Sequence, residues 1–172
     1  MTSPDAELER SYRDTIGHFA TGVTVVTTTG PDGPAGMTTN AVTSLSLRPR
    51  LLLVCFEERS RTLTAVRASE RFAVNILRHG DEALAAVFAT KRIGREKFER
   101  VTHTEAHGVP VLDRALAWIA CSLRELHPGG DHMIGIGEVI GMGIGDEDDP
   151  LVYHRGRYTT ITRPAPPCSP IS

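Results

Sequence analysis

The chain has 172 residues, 21 acidic and 19 basic, with a formal net charge of -2. That length suits one domain with a sizeable core, and that charge supplies no basic field for nucleic acid or an anionic membrane surface. Three cysteines, Cys55, Cys121 and Cys168, stand far apart without a C-x-x-C pair, which speaks against a disulfide framework or zinc knuckle and fits a reduced, cytoplasmic setting. The polar start MTSPDAELERSYRD does not read as a secretory signal, and no apolar run approaches the ~20 residues of a membrane helix.

Ser3-Pro4-Asp5 offers a helix start, and Leu8, Tyr12, Ile16 and Phe19 recur at helical spacing until Gly22, predicting an N-terminal amphipathic helix. Val23 to Thr29 is rich in β-branched residues and reads as a strand, turning at Gly30-Pro31-Asp32-Gly33 into a second one. A bare apolar strand follows at Leu51 to Phe56. Ser60 caps a short helix, Arg71 to Leu77 reads as a strand, and Asp81 to Phe88 as a helix. Ala89 to Gly108 is charged and irregular, and is expected to be one long connection. Ala115 to Leu126 and His132 to Met142 form a hairpin through Pro128-Gly129-Gly130-Asp131. In its second strand Gly135, Gly137, Gly141 and Gly143 share one face by parity, which suits a curved, barrel-like sheet. Asp146 to Asp149 is an acidic loop. Residues 163–172 are proline-rich and expected to be disordered, leaving 1–162 as the domain.

The stretch from Gly36 to Phe56 carries the strongest functional signal. Thr38, Thr39, Asn40, Thr43, Ser44 and Ser46 crowd a segment that reads as strand, immediately before an apolar run. By parity Thr38, Asn40, Ser44, Ser46 and Arg48 share a face interrupted only by Val42, either a solvated edge or one wall of a cleft. Ser60-Arg61-Thr62 at a helix start sets free backbone N–H groups beside hydroxyls and a guanidinium, a phosphate seat if it is more than a plain N-cap. His132 follows a Gly-Gly-Asp turn at the mouth of a strand, and can equally be a turn histidine paired with Asp131.

Other patterns carry less. The G-x-G-x-x-x-G of Gly135 to Gly141 lies within a strand, not at the strand-to-helix turn a dinucleotide fingerprint needs. His103 and His107 have metal-pair spacing, but Gly108 and Pro110 break any helix and Glu105 stands off the zincin position, so no metal site is expected. There is no G-x-S-x-G elbow to support a hydrolytic triad.

Taken in order, FATGVTVVT (Phe19–Thr27), GMTTNAVTSLS (Gly36–Ser46), SRT (Ser60–Thr62), RFAVNIL (Arg71–Leu77), GDHMIGIGEV (Gly130–Val139) and LVYHRGRY (Leu151–Tyr158) resemble the flavin reductase family that serves two-component flavin-dependent monooxygenases. The match spans about Tyr12 to Ile161, and the joint order and spacing are more specific than any one motif. The resemblance implies a mainly β fold, a Greek-key antiparallel split barrel with a few helices, working as a homodimer with FMN or FAD near the subunit boundary. Carried over by position, it implies that Thr38, Thr39, Asn40, Ala41 and Val42 border the isoalloxazine and ribityl chain, with Cys55, Phe56 and Glu57 flanking it. It implies a phosphate held by Ser60, Arg61 and Thr62, the pair Lys97 and Phe98 from the following loop, and His132 and Tyr158 over the ring where a nicotinamide stacks. The chain departs from the family in having Pro49-Arg50 where a Pro-Pro pair is common, and in the loop from Ala89 to Lys97.

The implied activity is hydride transfer from NADH or NADPH to flavin, with reduced flavin passed to a partner monooxygenase. Such chemistry resides in the cofactors, which accounts for the missing nucleophile. His132 is expected to orient the nicotinamide or the flavin edge, and the small residues Thr39, Ala41 and the glycines of Gly135 to Gly143 to leave room for stacked planes. Two alternatives stand beside this reading: a split-barrel protein that binds flavin or pyridoxal phosphate as an oxidase or carrier without nicotinamide turnover, and a structural β-barrel interaction module.

Overall fold

The computed structural model describes residues 3–92, 94–146 and 148–161. The tail expected to be disordered lies outside them. Among the described residues four helices and twelve strands follow one another: α1 (Pro4–Ile16), β1 (Thr21–Gly22), β2 (Thr24–Gly30), β3 (Gly33–Thr39), β4 (Val42–Leu47), β5 (Arg50–Glu57), α2 (Arg61–Ser69), β6 (Arg71–Ile76), α3 (Glu82–Ala89), α4 (Gly94–Phe98), β7 (His103–Ala106), β8 (Val109–Leu112), β9 (Ala117–Gly129), β10 (His132–Ile144), β11 (Leu151–His154) and β12 (Arg157–Thr160).

Seven strands pair in the order β3-β2-β6-β9-β10-β5-β4, every pairing antiparallel. The two edge strands are β3 and β4, and only Asn40 and Ala41 separate them in the chain. A sheet whose opposite edges are joined by two residues has to roll up, so the architecture is a split β-barrel whose seam lies between β3 and β4. Inside it Val26, Val54, Phe56, Leu63, Val66, Phe72 and Cys121 form a buried cluster, with the rings of Phe56 and Phe72 edge to face at 6.0 Å. Aromatic pairs of this geometry add to the area they bury. A second cluster, including Val25, Leu77, Phe88, Phe98 and Leu151, lies where α3 and α4 cover the outside of the sheet.

The predicted single strand through the hydroxyl-rich segment is two strands broken at Asn40-Ala41. A register shift between Ser44 and Ser46 disturbs the alternation again, so the parity argument fails past Thr39. The glycine face is likewise split. A shift between Val139 and Gly141 inserts Ile140 as an extra residue, and the faces exchange there. A Cβ on Gly135 would stand 2.7 Å from the Phe56 ring and one on Gly137 2.6 Å from Phe72, both inside the barrel. On Gly141 and Gly143 it would meet His107 and Trp118 instead, on the outer side. The room left by these glycines is filled by aromatic rings of the chain itself, not kept for a ligand.

The segment expected to be irregular contains α4 and β7, and β8 follows directly after it. Asn75, fully buried on β6, explains the anchoring of β8: its Nδ2 donates to Val25 O and Thr27 Oγ1, and its Oδ1 accepts from Leu112 N at 2.8 Å. A buried amide with three partners of this kind fixes a register that apolar packing alone leaves loose. His103 opens β7 and His107 follows its last residue, the first packed against Phe98 and the second against Trp118. The N-terminal helix forms, with Ser3 Oγ accepting from Ala6 N, yet it buries none of its side chains. No helix among the described residues is long and apolar enough to cross a membrane.

Candidate flavin cleft

A cleft of about 550 Å³ opens at the barrel seam. Its floor is the end of β3, from Ala35 to Thr39, with Asn40 and Ala41 at the break. Cys55 and Glu57 enter from β5, and His132 from the start of β10, where it pairs in register with Glu57. The N-terminus of α2 closes one end with Arg59, Ser60, Arg61 and Thr62, and the α3–α4 connection walls the other side with Phe88, Thr90, Lys91, Arg92 and Lys97.

The hydroxyls that dominate the sequence are spent on the wall itself. Thr38 Oγ1 donates to Ala85 O at 2.6 Å, tying β3 to α3, and Thr39 Oγ1 accepts from Ala41 N at 3.1 Å, shaping the break. Asn40 Nδ2 donates to Thr21 Oγ1, and Ala41 O accepts from Cys55 N. These residues line the cleft while their polar side chains hold its shape.

At the α2 end, Ser60 is an extended N-cap (φ −71°, ψ 137°) whose Oγ accepts from Leu63 N at 3.1 Å. Of the first-turn amides this leaves those of Arg61 and Thr62 directed out of the helix, because amides that early have no carbonyl to reach. The cleft holds Arg59, Arg61, Lys91, Arg92 and Lys97 against the one carboxylate of Glu57, in a chain of net negative charge. Oriented amides and concentrated cations together suit a phosphate.

Lys97 is buried, and its Nζ donates to Gly36 O at 3.1 Å and Phe88 O at 3.0 Å. Burial, assisted by the nearby Arg61 cation, lowers its pKa below the usual lysine value. It clamps α4 and the end of α3 onto β3. Beside Glu57, His132 Nδ1 lies 2.7 Å from Asp131 Oδ1, and that bond holds the Asp131 carboxyl below its ordinary pKa. His132 is thus both the turn partner of Asp131 and a cleft residue; the two readings are compatible.

Four expected site residues do not line the cleft. Phe56 alternates with Cys55 and Glu57 on β5, so its ring points into the barrel and is fully buried. Val42, first residue past the break, packs against the same core and pairs with Val54. Phe98 follows Lys97 by one helical step and turns to the ring of Phe88 at 5.1 Å. Tyr158 lies on β12 against Tyr153 at 5.6 Å. The sequence reading missed Arg59, next to the Ser60 cap, and Thr90, Lys91 and Arg92, for which the charge of the Ala89–Gly108 segment was the only signal.

Residues 16–162 match the flavin reductase like domain. The chain belongs to that family. Among its flavin reductase relatives is the reductase subunit HsaB of a flavin-dependent monooxygenase from Rhodococcus jostii (strain RHA1), 38% identical over 162 residues, covering 91% of this chain and 82% of that protein. The FMN reductase (NADH) SmoA of Agrobacterium fabrum (strain C58 / ATCC 33970) is 38% identical over 160 residues, covering 93% and 90%. The flavin reductase PheA2 in its native state superposes with a TM-score of 0.83 at 39% identity, over 90% of this chain and 99% of that one. A Streptomyces globisporus NADH:FAD oxidoreductase, SgcE6, solved with NAD and FAD fragments, gives 0.85 at 33% identity, over 96% and 99%.

Proposed function

We propose that the protein is an NADH-dependent flavin reductase that supplies reduced FMN or FAD to a flavin-dependent monooxygenase in the cytoplasm. The observation that carries this is the seam cleft, which gathers the N-terminus of α2, five cations and His132 around one space, in a chain related to NADH-dependent flavin reductases. When bound, the flavin and the nicotinamide supply the redox chemistry, a hydride passing from nicotinamide C4 to flavin N5.

The chain's own residues bind and orient. Arg61 and the first amides of α2 hold the phosphate, and the backbone of Thr39 to Ala41 borders the ring plane. His132, fixed by Asp131, orients the nicotinamide at the flavin edge. Positioning two rings in a stack turns an encounter of two molecules into an effectively intramolecular step, a large share of any such acceleration. No residue is required to give or take a proton for the hydride to move.

A homodimer is part of this reading. Leu45 and Leu47 on β4, and Met142 and Ile144 at the end of β10, are exposed apolar side chains on the sheet, and Leu8, Tyr12 and Ile16 are exposed on α1. Apolar faces of this extent favour cover by another surface.

The test mixes purified protein with NADH or NADPH and FMN or FAD and follows nicotinamide absorbance. Oxidation in the presence of flavin is expected. Flavin binding without oxidation would move the protein to the carrier class, and neither binding nor oxidation would leave a structural module. Sedimentation of wild type and Leu47→Glu reads the dimer, which the charge should weaken.

A further inference from the structure

A second cavity of about 660 Å³ opens between α3, α4 and the end of β8. Leu84 and Val87 of α3, with Val101 and Leu112, make its lining apolar. The charges around it are already balanced. Asp81 is ion-paired with Arg78 and Arg114, and the Lys97 ammonium is given to the Gly36 and Phe88 carbonyls. That leaves the exposed pairs Arg92 and Arg100 against Glu96 and Glu99 at the rim. An apolar lining under a rim of no net charge favours neither an anion nor a cation, and suits a nearly uncharged apolar occupant.

The end of β12 lies beside this cavity. Thr160 Oγ1 donates to Pro150 O at 2.9 Å, Pro150 pairs with Arg78 in an isolated antiparallel bridge, and Arg78 Nε stands 3.7 Å from Asp81 in the cavity lining. The last described residue, Ile161, is 64% exposed. Residues 162–172 read TRPAPPCSPIS, with Pro164, Pro166, Pro167 and Pro170 and a single charged side chain, Arg163. At about 3.1 Å per residue in a polyproline II conformation they reach roughly 34 Å, well beyond the ~12 Å of the eight-residue α3. Proline brings no N–H to be left unpaired against apolar side chains, and a Pro-rich segment gives up little entropy when it docks.

We propose that residues 162–172 turn back onto their own chain and fill this cavity, the run Pro164 to Pro167 against the Leu84 and Val87 face of α3 and Arg163 at the carboxylates of the rim. The segment covers an apolar surface of the domain and braces, from outside, the wall that Lys97 ties to β3. This goes beyond the reductase reading and does not depend on it.

Cys168 lies within the segment and reports on it. The full chain is alkylated with iodoacetamide, and peptide mass spectrometry reads Cys168 apart from Cys55 and Cys121. A synthetic peptide of residues 162–172 gives the rate of the uncovered thiol. Docking is expected to slow Cys168 about tenfold below the peptide, at every protein concentration. Ala83→Trp fills the cavity and Val87→Asp puts a charge on its apolar side, both from exposed positions on α3 that the fold tolerates. Each should return Cys168 to within about twofold of the peptide, with circular dichroism confirming the fold. A wild-type rate within about twofold of the peptide overturns the proposal without recourse to any variant. Protection that both variants keep also overturns it, since the segment then lies elsewhere. Protection that fades on dilution does the same, because the cavity then takes the segment of a second copy.

Discussion

The Nζ of Lys97 lies 3.1 Å from the carbonyl oxygen of Gly36, so a short helix far along the chain caps an edge strand that also forms the cleft floor. The family resemblance places Lys97 against the flavin. Its geometry makes it first a clamp, with two of its three donors already given to carbonyls.

Lys97→Met is therefore expected to lower stability by about 2–4 kcal/mol, since two buried carbonyls lose a charged donor. Flavin affinity should fall with it, because α4 is no longer held to β3. Urea denaturation and flavin fluorescence titration read the two effects. A variant that binds flavin poorly at unchanged stability would instead mark direct contact.

Arg61→Ala should weaken FMN by about 10- to 100-fold, the equivalent of one charge-assisted bond of ~1.5–3 kcal/mol. Riboflavin, which lacks the phosphate, should bind both proteins alike. Equal losses for the two ligands would remove the α2 end as the phosphate seat.

His132→Ala should raise the KM for NADH and lower kcat without removing flavin binding, as expected of a group that orients the donor. Asp131→Asn, which alters the partner 2.7 Å away, should give a weaker effect of the same kind. Steady-state kinetics with both variants checks this, and NADH turnover and affinity both unchanged in His132→Ala would exclude the role.

Gly135→Ala is expected to cost about 1–3 kcal/mol, because its Cβ would stand 2.7 Å from a ring edge of buried Phe56. Phe56→Leu should recover part of that loss in the double variant. Thermodynamic cycles by denaturation measure the coupling; additive losses would mean that the two do not share the space.

Burial pushes the pKa of the Cys121 thiol up to about 12, from an ordinary value of 9.0. Above pH 9 the unfolded chain loses this proton while the folded chain keeps it, so stability falls as pH rises from 9 towards 12, by up to about 1.4 kcal/mol per unit. Below pH 9 the thiol is protonated in both states and contributes no slope. The difference in alkaline stability between wild type and Cys121→Ala isolates this part, and parallel profiles would show that the site is better solvated than its packing implies.

The local elements were legible where periodicity and caps are local. The Ser60 cap, the β2–β3 turn and the β9–β10 hairpin follow from residues within a few positions of one another. The apolar spacing of α1 predicted its helix but not that its apolar side chains would stay exposed. Bulges were not legible, since one inserted residue such as Ile140 changes the faces without changing the composition.

By itself, the sequence determined a mainly β chain, the Ser60 cap with a guanidinium beside it at the start of α2, and a family whose motifs run in order along it. Only the tertiary structure decided which of the nominated residues face one space. Rolling the sheet brings Asn40-Ala41, Cys55, Arg61 and His132 to one seam, and the alternation of β5 sends Phe56 away from it. It also decided that α4 lies across β3, where a lysine amid charged, irregular-looking sequence becomes the clamp of the wall. The physical reason is that strand pairing and side-chain burial join residues far apart in the chain, and no local pattern records which ones.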